Sequence, residues 1–127
     1  MMKVLIPLNK EFSRYRKKCK ELFYKVQDKI GDFNRFEDVY KNTFFYLFVD
    51  ENKIVCAIYY YLKGDKLFVN AFAPRKVFDK SLKCFQESLG WFNCDIYAKA
   101  LNRASVISLI RSGFIREKEN VFVFKRL

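Results

Sequence analysis

The side chains that could do chemistry in this chain are tyrosines, lysines, arginines and four cysteines, because histidine is absent. No Ser-His or Cys-His nucleophile, no histidine metal ligand and no histidine pH switch can be built. The cysteines stand at 19, 56, 84 and 94 with no Cys-x-x-Cys pair. That spacing favours neither a metal site nor a disulfide framework, and the thiols read as small apolar residues of a reduced, cytoplasmic chain. Tyr59, Tyr60 and Tyr61 offer three hydroxyls in succession, although inside an apolar run they read more simply as sheet aromatics. The cations say more: 25 Lys and Arg stand against 14 Asp and Glu, a net charge of +11. Residues 1–41 carry +5, residues 42–74 are neutral and residues 75–127 carry +6. A field of that sign attracts phosphate-bearing partners, nucleotides and nucleic acid among them.

The elements that must position these groups follow from hydrophobic spacing. With 127 residues, 51% of them hydrophobic, the chain makes one domain, 1–127, with a real core. No apolar run approaches the length that crosses a bilayer, and the opening MMKVLIP is too short for a secretory leader. Residues 2–7 read as a strand stopped by Pro7, and Asn9 as the N-cap of a helix. Phe12, Tyr15, Cys19, Leu22, Val26 and Ile30 recur at steps of 3 and 4 and form that helix's inner stripe, with Gly31 at its end. Phe33, Phe36 and Tyr40 mark a short second helix. Three apolar runs, 43–49, 54–62 and 67–73, are joined by the turns 50–53 and 63–66. They predict an antiparallel meander covered on both faces.

Beyond Pro74, Phe78, Leu82, Phe85, Leu89 and Phe92 predict a helix over 76–92. Residues 95–101 alternate as a strand. Asn102 caps a last helix with Val106, Ile107 and Ile110 inside and Gly113 at its end. Phe114-Ile115 and 121–127 close the chain as a strand or hairpin. The expected fold class is α/β, or α+β with a mixed sheet, in the order β-α-(α)-β-β-β-α-β-α-β, with helices on both faces.

This order of elements resembles the GNAT superfamily of N-acetyltransferases over essentially the whole chain. The most specific part is AKALNRASVISLIRSGFIREKENVFVFKRL, 98–127, where a strand, Asn102, a short helix, Gly113-Phe114 and a last hairpin stand as in the family's ending. The resemblance implies that acetyl-CoA binds between the central strand and the next helix. A Gln/Arg-x-x-Gly-x-Gly/Ala motif there lets backbone amides approach the pyrophosphate. The matching stretch is Arg75-Lys76-Val77-Phe78-Asp79-Lys80. The cofactor contacts this implies are Arg75, Lys76, Val77, Phe78 and Lys80, with Asn102 on the pantetheine side and acceptor contacts from residues 31–41. No metal is implied.

The chain departs from the family in three places. Phe78 and Lys80 replace two small residues, and Asp79 puts a negative charge between them. Leu109 stands four residues before Gly113-Phe114, where many relatives have a tyrosine that protonates the leaving thiolate. The meander strands contain no carboxylate, and Asn70 is the one polar residue on the third. Catalytic residues are therefore not assigned. Two functions follow. In the first, the GNAT-like scaffold has lost efficient acetyl transfer and is a structural or binding component of an assembly such as a phage particle. It would have a protein partner or self-associate, would touch anions or nucleic acid non-specifically, and would have no membrane contact. In the second, the chain is a small acetyl-CoA-dependent N-acyltransferase with an atypical pyrophosphate loop.

Overall fold

The computed structural model describes residues 2–75 and 78–126. Eleven elements follow in chain order: β1 Met2–Leu5, α1 Phe12–Ile30, α2 Phe36–Asn42, β2 Phe44–Asp50, β3 Lys53–Lys63, β4 Lys66–Phe72, α3 Phe78–Leu89, β5 Ile96–Lys99, α4 Arg103–Arg111, β6 Ile115–Lys118 and β7 Val121–Phe124. The strands form one sheet in the order β1-β2-β3-β4-β5-β7-β6. Every neighbouring pair is antiparallel except β4 and β5, which run parallel. This is the mixed α/β architecture that the hydrophobic spacing predicts, with the C-terminal segment resolved into a hairpin.

Strand alternation distributes the aromatic run 59–61 between the two faces. Tyr59 and Tyr61 join the core under α1 and α2, with Phe23, Phe36, Phe45 and Phe72. Tyr60 joins the core under α3 and α4, with Phe48, Phe85, Ile96 and Phe122. Burying each of these rings is worth about 1.5–3 kcal/mol, so the meander runs have to be apolar on both faces.

Local chemistry departs from expectation in three places. Asn9 does not cap α1; its Oδ1 turns back to accept from the Ile6 amide at 2.8 Å. The helix starts at Phe12 instead, with no side-chain cap on Glu11. Phe23 rather than Leu22 is the fully buried residue of the fourth turn of α1, and Leu22 packs at its margin. On α4, Leu109 is buried while Ile107 and Ile110 are exposed. The chain folds back sharply there, with the Phe114 amide donating to the Leu109 carbonyl at 3.0 Å and Gly113 at φ 96. That return turns Leu109 inward and Ile110 outward. Gly31 ends α1 at φ 65, a left-handed value that glycine adopts without strain.

Candidate functional site

The site is built where the sheet parts. β4 and β5 are in register only at Leu67↔Ile96 and Phe68↔Tyr97. Past that point the strands separate, and cavities open on both faces of the gap. On the α3/α4 face lies a mostly apolar cleft of about 280 Å³, walled by Ala71, Ala73, Phe78, Leu82, Phe85 and Leu109. The hydroxyl residues Ser81, Ser105 and Ser108 stand along it. On the α1/α2 face lies a polar pocket of about 480 Å³, lined among others by Asp32, Asp38, Asn42, Thr43, Tyr59 and Tyr61. Val69, Asn70 and Lys99 line both cavities. The two cavities therefore meet at the end of the strand pairing.

A hydrogen-bond network organises the polar side. The Tyr59 hydroxyl donates to Asp32 Oδ2 at 2.7 Å. Asn34 donates to the other carboxylate oxygen twice, from its backbone amide at 3.0 Å and from Nδ2 at 2.8 Å. Asn70 Nδ2 donates to the Tyr59 oxygen at 3.1 Å and to the Ile30 carbonyl at 3.0 Å. Asn70 Oδ1 accepts from the Ala71 amide at 2.9 Å. A central strand is thereby tied to the end of α1, where Asn70 reaches the Ile30 carbonyl. Burial pushes the Tyr59 hydroxyl up, and the hydrogen bond to Asp32 and that carboxylate's charge push it further, so it stays protonated. Lys99 is held below the ordinary lysine range, first by the charge of Lys63 beside it, then by a hydrogen-bond contact with Lys63 and by partial burial.

The residues singled out from the sequence occupy different positions around this site. Arg75 is exposed in the turn after β4. Lys76 and Val77 lie outside the described residues. Phe78 opens α3 and lines the apolar cleft, with the Arg111 guanidinium 5.8 Å from its ring centre. The Lys80 Nζ lies 3.3 Å from Asp50 Oδ2 on β2. Asn102 caps α4, its Oδ1 accepting from the Ser105 amide at 2.9 Å, and its Nδ2 donates to the Lys29 carbonyl at 3.2 Å. Of the stretch 31–41, Gly31, Asp32, Asn34, Asp38 and Val39 line the polar pocket. Sequence reasoning missed Asp32, Tyr59 and Lys99 as individual site residues. Asn70, a lone polar residue in an apolar strand, was the available signal.

Among the described residues no group of three His, Cys, Asp or Glu could hold a metal ion. Among them, too, no helix is long and apolar enough to cross a membrane.

A mixed sheet whose one parallel pair splays apart between two helical layers defines a chain with the GNAT N-acetyltransferase fold. Among solved structures it is similar to the PaiA N-acetyltransferase from Thermoplasma acidophilum in complex with coenzyme A. The TM-score is 0.55 at 12% identity, over 99% of this chain and 98% of that one. No family model matches the chain. No curated protein sequence matches it either.

Proposed function

We propose that the chain binds an acyl-CoA thioester in the apolar cleft and transfers its acyl group to an amine presented from the polar pocket. The observation that carries this reading is the meeting of the two cavities at Val69, Asn70 and Lys99. A donor entering from the α3/α4 face and an acceptor entering from the α1/α2 face would meet at one point, which is what group transfer between two bound substrates needs. Similarity to a chain crystallised with coenzyme A supports the choice of donor. The residues present fit such a donor in part. The unpaired edge of β4 beyond Phe68 and the small side chains Ala71, Ala73 and Ala98 leave room for a thin, amide-bearing arm. At the diphosphate end, Phe78 fills space that a small residue would leave to the ligand.

Titration calorimetry with acetyl-CoA and CoA at about 150 mM salt tests the reading, with ADP as charge control because that ionic strength screens exposed charges. Saturable binding of acetyl-CoA and CoA that ADP does not reproduce, followed by thiol release when primary amines are added, supports it. Heat that ADP reproduces, or none, overturns it.

A second reading keeps the fold and removes the turnover: a binding component of an assembly, such as a phage particle, with a protein or polyanion as partner. Leu109 favours it, because a buried leucine in the donor cleft has no proton for a leaving thiolate. Thiol release in the same assay would eliminate it.

A further inference from the structure

We propose that Lys99 is an internal acyl acceptor, modified by the thioester that the chain itself binds. The inference rests on the acyl-CoA reading above and adds a modification site to it.

Of the three residues that line both cavities, Val69 and Asn70 carry no nucleophile and Lys99 carries an amine. Lys99 is the last residue of β5, two positions beyond the last β4–β5 pair, so its backbone stands at the parting of the strands. Along β5, Ile96 and Ala98 point into the α3/α4 core. Strand alternation sends Lys99 to the other face, beside the polar pocket. Its side chain is exposed, which leaves the long alkyl arm free to turn toward the gap. The groups around it also favour attack. The Lys63 ammonium is close enough to disfavour a second positive charge, which raises the fraction of neutral amine at Lys99. Two lysines brought together on one face recreate the arrangement in which a neighbouring cation activates an amine nucleophile.

The step balances without any further reagent. The neutral Lys99 Nζ attacks the thioester carbonyl, and a carbon–nitrogen bond forms as the carbon–sulfur bond breaks. The amine's proton leaves to solvent at the open pocket, and the released CoA thiolate takes one from water. The product is a neutral amide at position 99, which removes one of the two adjacent charges and places an acyl group at the mouth of the acceptor pocket. The acylated chain would therefore lose room for an external amine, so the modification would act as a brake on transfer.

The test incubates the full chain with acetyl-CoA at neutral pH and reads intact mass, then maps the modified residue by peptide mass spectrometry, with donor binding measured in parallel by calorimetry. The expected result is one acetyl group per chain at Lys99, lost in Lys99→Arg and suppressed by excess CoA. Lys63→Ala should slow labelling, because the neutral fraction of the Lys99 amine falls once the neighbouring positive charge is gone. Calorimetry of the Lys99→Arg chain with CoA separates loss of the acceptor from loss of the donor site. Acetyl groups spread over many surface lysines at equal rates, or labelling unchanged in Lys99→Arg, would overturn the inference. A chain that binds CoA and stays unmodified overturns this inference alone. A chain that binds no CoA overturns both it and the acyl-CoA reading.

Discussion

The Tyr60 hydroxyl and Ser88 Oγ lie 2.6 Å apart in the core between β3 and α3, and Ser88 Oγ also donates to the Phe85 carbonyl at 2.8 Å. Ser88 is fully buried, and its neighbours are the apolar residues of that core. Its hydroxyl completes the hydrogen bonding of a tyrosine that has no water to turn to. Ser88→Ala leaves the Tyr60 oxygen without its partner and should cost about 1–3 kcal/mol. Tyr60→Phe made together with Ser88→Ala should recover much of that loss. Urea unfolding of the two single variants and the double variant measures the coupling.

On the opposite face, Tyr59→Phe removes the donor to Asp32 and the acceptor for Asn70 at once. A hydrogen bond to a charged group contributes about 1.5–3 kcal/mol, so the stability loss should fall in that range. Proton exchange of the residue 32–34 amides should accelerate in the same variant. Exchange unchanged from the parent chain would mean that Asn34 alone holds Asp32.

Alkaline pH should unfold the protein. Burial raises the folded-state pKa of both Tyr59 and Tyr60. Above about pH 10, the ordinary tyrosine value, the unfolded chain loses protons that the native chain keeps. The unfolded state then binds fewer protons, so stability falls with rising pH. The slope should be about 1.4 kcal/mol per pH unit for each tyrosine. Stability curves between neutrality and pH 11 measure it, and tyrosinate absorbance should rise only with unfolding.

The cysteines should separate by accessibility. Burial pushes the Cys19 thiol up to about 12, whereas Cys94 is exposed. Thiolate is the reactive form, so at mildly alkaline pH an alkylating reagent should modify Cys94 quickly and spare Cys19 until the chain unfolds. Mass mapping of the native and urea-treated chain distinguishes the two.

The start of α3 offers a gain-of-function test. Phe78 is half-exposed and lines the donor cleft, so its removal opens space at modest cost to the core. Phe78→Gly should improve CoA affinity by about tenfold, or 1.4 kcal/mol, if the ring obstructs the diphosphate. Arg75→Ala should weaken it by a smaller factor, since an exposed cation is partly screened. An affinity unmoved by either change would place the diphosphate elsewhere.

Most of the architecture could be read from spacing because the meander and the helix stripes are dense in apolar residues at the right periods. What could not be read depended on distance or on a tie. Asp32 and Tyr59 are 27 residues apart in sequence, and no local pattern announces that one accepts from the other. On α4, Val106, Ile107, Leu109 and Ile110 permit two apolar stripes, and the fold-back at Phe114 chooses the one through Leu109. The same holds on α1 for Leu22 and Phe23, where packing against Phe36 and Phe72 selects Phe23. Lys99 is ordinary in sequence; its position gains meaning only because the strands part beside it.

That parting has a mechanical consequence. Among the described residues, two residue pairs, Leu67 with Ile96 and Phe68 with Tyr97, couple β1–β4 to β5–β7 through the backbone. Among the described residues, none from beyond Phe72 is buried in the core under α1 and α2. Across the seam, cohesion comes mainly from the α3/α4 core, with a few side-chain ties such as Asn102 Nδ2 to the Lys29 carbonyl and Phe68 against Tyr97. The C-terminal module, residues 96–124, should behave as a separate foldon that opens before the meander does. Where such a seam opens, the equivalent module of a second copy can dock in its place, so concentrated refolding would be the condition under which swapped dimers appear.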